Sequence, residues 1–146
     1  MDPECTDKVL SIVSAAATSG TQEALVSLHA VYDAIIKGDL EAIGEFLTDD
    51  VELNICGFRA IDGNWRGRDD VVTAARKNYA QLDSQQPAIE GMISQGDSVA
   101  VLMRESGVLK SNGQAYSIRG VQWFTFANGK IRRIDQIVAS IWNGAE

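Results

Sequence analysis

Few residue types that announce a chemistry are present in this chain of 146 residues: one histidine, His29, and two cysteines, Cys5 and Cys56. One histidine cannot build a His-rich zinc site. Cysteines this far apart give neither metal-ligand spacing nor a disulfide framework, so no metal site is expected. Both read as reduced thiols of a cytoplasmic protein, with Cys56 an inert buried one. Cations are also scarce, with 13 Lys and Arg against 20 Asp and Glu and a net charge of -7. Nucleic acid and anionic membranes attract clustered Lys and Arg, so neither is an expected partner. The one basic cluster, Lys130, Arg132 and Arg133, is followed at once by Asp135 and reads as a solvated strand face. No apolar run approaches the roughly 20 residues that span a bilayer. The mildly apolar stretch Val9 to Ala17 follows Asp2, Glu4 and Asp7, the wrong charge for a signal peptide.

What is present reads as one domain with two halves of different period. Residues 1–20 end in small side chains and are expected to form a flexible or loosely docked extension before a domain over residues 21–146. A helix is predicted from Thr21, its candidate cap, to Lys37, with Leu25, Leu28, Val31, Tyr32, Ile35 and Ile36 on one stripe and Gly38 ending it. Asp39 is placed to cap a second helix over Leu40 to Leu47. A third follows Gly67, with Asp69 as its expected cap and apolar spacing at Val71, Val72, Ala75, Tyr79 and Leu82. Strands are predicted at Val51–Cys56, Ile89–Ser94, Val99–Val108, Tyr116–Phe126 and Ile131–Ile141. Turn chemistry at Gly96-Asp97, Asn112-Gly113 and Asn128-Gly129 makes the last of these a meander of hairpins. Helices first and hairpins later specify an α+β fold with helices on one sheet face.

Gly38-Asp39-Leu40, Asp49-Asp50-Val51, Gly67-Arg68-Asp69, Gly96 to Val101, Phe124-Thr125-Phe126 and Asn128-Gly129-Lys130-Ile131 occur in that order. Their order and spacing over residues 21–141 resemble the SnoaL-like polyketide cyclase and ketosteroid isomerase-like group of the nuclear transport factor 2-like superfamily. The resemblance implies a cone-shaped α+β barrel, with three N-terminal helices packed on a strongly bent, mostly antiparallel sheet. It also implies a deep pocket, no cofactor, and a homodimer formed through the outer sheet face. Fold alone leaves function open, because this superfamily hosts isomerases, cyclases, hydrolases and non-catalytic modules.

Steroid isomerases of this kind need a carboxylate base and donors for an enolate oxygen. Counted from the shared motifs, the family's tyrosine falls at Val31, its base at Ile55 and its second acid at Gln122. All three have changed, and Tyr32 lies one residue off register, about 100° around the helix. Alternation on the strands turns Val99, Val101, Met103, Glu105, Tyr116, Gln122, Phe124 and Gln136 toward the pocket. Arg119, Arg133 and Asp135 turn away, where solvent or interface salt bridges account for Arg119 and Asp135. The expected ligand-binding residues are Val31, Ile55, Trp65, Met103, Tyr116, Gln122, Phe124 and Gln136, with Trp65 and its loop at the mouth. Glu105 is the one inward carboxylate of the strands. It is either a proton-transfer group with a raised pKa or a bystander at the open end, near water. No inward carboxylate pair for a water-using hydrolase is found.

The outer face, with Arg104, Arg119 and Trp123, is expected to form the dimer interface. The expected function is binding of a small, largely apolar molecule, with cofactor-independent isomerase or cyclase chemistry as its enzymatic form. A non-catalytic homodimeric assembly module is the alternative.

Overall fold

The computed structural model describes residues 22–58 and 61–142, with side chains over residues 24–58 and 61–138. The expected extension over residues 1–20, the Thr21 cap and Cys5 lie outside the described residues. Helix α1 (Gln22–Lys37) ends where Gly38 takes φ +73°, a conformation open to glycine at no steric cost. Asp39 caps α2 (Leu40–Ile43) by accepting from the Ala42 amide. The second helix is shorter than predicted: Gly44–Phe46 tightens to a 3-10 turn, and Leu47 is already extended. Strand β1 (Leu47–Cys56) therefore starts four residues early. Helix α3 (Arg68–Ala80) is preceded by Gly67 at φ +92°, which makes no side-chain cap. Asp69 is not the cap. It sits with Asp70 in the first turn, where a carboxylate still faces the positive end of the helix dipole.

The remaining strands are β2 (Gly63–Arg66), β3 (Leu82–Gln95), β4 (Ser98–Leu109), β5 (Ala115–Ala127) and β6 (Lys130–Trp142). They form one sheet in the order β2-β1-β6-β5-β4-β3. Every pairing is antiparallel except β1 with β6. The sheet does not close, and β2 and β3 are its edges. Asn128 at φ 52° and Gly129 at φ +78° form the two-residue turn between β5 and β6, as Asn-Gly favours. One-residue bulges at Glu90, Arg132 and Ala139 interrupt the ladders, and bulges bend and twist a sheet.

All three helices pack on one face. Leu25, Leu28 and Val31 of α1 and Val71, Val72 and Ala74 of α3 join Val51, Leu53, Val99, Val101, Phe124 and Ile131 in a single core. No helix among the described residues is long and apolar enough to cross a membrane. Cys56 is exposed rather than buried, because alternation along β1 buries Leu53 and Ile55 and turns Cys56 outward.

Candidate functional site

Between the helices and the sheet lies a cavity of about 170 Å³. Its wall is aliphatic and aromatic over most of its area, with Val31, Tyr32 and Ile35 from α1, Leu53 and Ile55 from β1, and Met103 and Phe124 from the sheet. Two hydrogen-bonded polar groups interrupt it, apart from Asn78 of α3.

The first is a directional chain of hydrogen bonds. The Tyr32 hydroxyl donates to Gln122 Oε1. Gln122 Nε2 donates in turn to Gln136 Oε1 at 3.1 Å. The two amides meet because Gln122 and Gln136 are register partners on β5 and β6, and directly opposed side chains on one sheet face touch. The ring of Tyr32 sits edge-on to Phe124, with centroids 6.2 Å apart.

The second group is centred on Glu105, which is only 8% exposed. Gln85 Nε2 donates to its Oε1 at 2.7 Å and the Tyr116 hydroxyl to its Oε2 at 2.9 Å. Both donors sit diagonally to Glu105, Gln85 on β3 and Tyr116 on β5, and both are register partners of Gly107 on β4. A side chain at Gly107 would fall 2.9 Å from the Tyr116 hydroxyl, so glycine leaves the room in which they converge. Burial pushes the Glu105 carboxyl above its ordinary range, against the two hydrogen bonds, which pull it down. Burial, and then the nearby Glu105, push the Tyr32 hydroxyl up as well.

The cavity reaches solvent at an unexpected end. A recess of about 80 Å³ shares Ile35, Ile36, Tyr79, Leu82, Gln85 and Pro87 with it and adds the exposed Asp83 and Ser84. The opening thus lies between the ends of α1 and α3 and the start of β3. Trp65 is not on the wall: it sits opposite Leu53 on β2, and its ring covers Gly63 and packs on the core. Among the described residues of the loop predicted to cross the mouth, Phe58 and Ile61 reach the wall. Tyr116 also lies off the wall. It stands behind two wall residues, its ring against Phe58 at 5.6 Å and its hydroxyl on Glu105. Val31, Ile55, Met103, Gln122, Phe124 and Gln136 are all brought together on the wall. One feature escaped the sequence reading: Tyr32 contributes alongside Val31, because the cavity wraps further around α1 than one side chain. Of the two alternatives for Glu105, its burial agrees with the desolvated group of raised pKa and not with a bystander near water.

Among the described residues, no three metal-ligating side chains cluster. A larger, open groove of about 600 Å³ runs past α2 and α3. Its two arginines are in ion pairs, Arg76 with Glu41 and Arg68 with Asp49.

On the opposite sheet face, Arg104 and Arg119 are register partners, and both pair with Glu90, at 2.9 and 2.7 Å. Asp135 is held by Arg133 at 2.8 Å and by Asn54 at 3.0 Å. Trp123 and Ile137 stand beside them, 44% and 56% exposed.

No curated protein matches the chain. Solved structures share its fold. An NTF2-like protein of unknown function from Burkholderia pseudomallei K96243 superposes with a TM-score of 0.70 at 20% identity, covering 78% of this chain and 88% of that one. TerC, co-crystallised with polyporic acid, gives 0.69 at 22% identity over 80% and 91%. An M. tuberculosis LEH-like epoxide hydrolase gives 0.66 at 17% identity over 80% and 83%. The SnoaL-like domain family matches residues 28–134, and this chain, with its helices packed over one face of a mostly antiparallel sheet, belongs to that family.

Proposed function

We propose that the protein binds a small, largely apolar molecule in the cavity and that Glu105 exchanges a proton with it, the elementary step of cofactor-independent isomerases and cyclases. The observation that carries this reading is Glu105 itself: a clamped carboxyl, the one charged group on a mostly apolar described wall, with its pKa raised by burial. Such a group carries a proton closer to neutral pH than an exposed glutamate does. The Tyr32–Gln122–Gln136 chain supplies a fixed polar contact of the kind small-molecule pockets use for orientation. TerC, of like fold, was crystallised with polyporic acid, which supports reading the cavity as a binding site.

The reading includes a cytoplasmic homodimer. The outer face around Trp123, Ile137, Arg104 and Arg119 presents apolar bulk beside charge, and such a face wants cover.

Mass spectrometry of molecules released from the purified protein, repeated on Gln122→Leu, tests the binding. A retained apolar compound, depleted in the variant, is the expected result. An empty cavity, with no uptake of apolar probes, favours the assembly module instead.

A further inference from the structure

Glu105 is the only side chain on the described cavity wall that can carry a full charge near neutral pH. The other titratable groups there are the hydroxyls of Tyr32 on α1 and Tyr79 on α3, with Tyr116 of β5 behind Glu105. No Lys, Arg or His is among the lining residues.

The donors around Glu105 are arranged for an anion. A neutral carboxylic acid has one oxygen that carries a proton and is the weaker acceptor. Here each oxygen receives its own hydrogen bond, 2.7 Å from Gln85 and 2.9 Å from Tyr116. Two converging donors favour the carboxylate, yet a carboxylate in an apolar enclosure is costly without a cation beside it. Among the described wall residues no such cation stands beside Glu105.

We infer that the cavity's ligand is an apolar amine, whose cationic nitrogen pairs with Glu105 while its hydrocarbon body fills the aliphatic wall. This rests on the reading of the cavity as a binding site and names the class of molecule. The rings of Tyr32, Phe58 and Phe124 line the same space, and aromatic faces attract cations. The proton balance is closed. A neutral amine entering with Glu105 protonated takes that proton and leaves the pair. An ammonium ion entering the same protein displaces the proton to solvent. The raised Glu105 pKa of the empty cavity is consistent with both routes.

Benzylamine and benzyl alcohol are matched probes, equal in shape and differing in charge. Calorimetric titration of the intact chain should show benzylamine binding about tenfold or more tightly than the alcohol, a preference that Glu105→Gln reduces to within about twofold. Between pH 5 and pH 8 the benzylamine affinity should rise as Glu105 ionises while the alcohol's does not, and this stands on the wild type alone if the variant misfolds. Equal binding of the two probes, or a preference that survives Glu105→Gln in a folded variant, overturns the inference and leaves the cavity reading intact. No binding of either probe, or of any other apolar one, defeats both. Arg59 lies outside the described residues, so Arg59→Gln is titrated in parallel. An amine preference that emerges only in that variant shows that the chain supplies its own cation, which also overturns the inference.

Discussion

Tyr116 lies diagonally across the β4–β5 ladder from Glu105, and its hydroxyl donates to Oε2 at 2.9 Å over the bare backbone of Gly107. Gly107→Ala should break this relationship. The new methyl would crowd the Tyr116 ring and the Ser84 carbonyl, and overpacking of this kind costs roughly 1–3 kcal/mol. Denaturant melts should show that loss, and a variant as stable as the wild type would mean that the β3 backbone at Ser84 and the Tyr116 ring both move aside freely.

The pH dependence of stability follows from Glu105. Its carboxyl holds a proton more tightly in the folded chain than in the unfolded one. Its contribution is therefore complete below the ordinary glutamate range and is lost as pH rises through the raised folded value. Glu105→Gln has no such proton to lose. Urea melts between about pH 5 and pH 8 should show the variant gaining on the wild type as pH rises. A gap that stays constant would mean Glu105 ionises as it does in water.

The amide chain should behave as a unit. Gln122→Leu strands the Tyr32 hydroxyl and the Gln136 carbonyl, at a cost of about 1–3 kcal/mol. Tyr32→Phe alone should cost less. The double variant should be less destabilised than the sum of the two; strict additivity would show that the contacts do not cooperate.

Steroid isomerisation should be at background. Ile55 lies on the wall at the position the family resemblance assigns to the base, and an alkyl side chain accepts no proton. Absorbance of the conjugated enone formed from a β,γ-unsaturated ketosteroid measures this. Turnover that survives purification and disappears in Glu105→Gln would overturn the expectation.

Light scattering should give about twice the 15.8 kDa chain mass, falling toward one chain in Trp123→Glu. A wild-type monomer at micromolar concentration would defeat the dimer.

Periodicity made most of this architecture readable. Six apolar residues at helical spacing marked α1, and Asn128-Gly129 marked the turn that joins β5 to β6, while the bulge at Arg132 moves the register by one and so sets Gln122 against Gln136. What was missed had no period to read. Four residues, Gly63–Arg66, form β2, too few for alternation to show. The start of β3 is polar and contains Pro87, which reads as a break. Yet β3 is an edge strand, where proline is tolerated. That omission concealed both Gln85, the second clamp on Glu105, and the cavity opening beside it. Asp69 misled because aspartate suits a cap and a first turn equally well.

The place of β6 in the sheet constrains how the protein is made. The order β2-β1-β6-β5-β4-β3 sets the last of the described strands between two halves of the sheet whose backbones are hydrogen-bonded only through it. Its parallel partner β1 lies about 80 residues earlier along the chain, and pairings between such distant segments form slowly. Before β6 is made, the β1–β2 hairpin and the β3–β4–β5 meander have no strand to join them, and the sheet wall of the cavity is complete only when β6 docks and carries Gln136 to Gln122. A nascent chain arrested before residue 130 would display the future binding wall as two sticky surfaces, the state most exposed to aggregation and to chaperones.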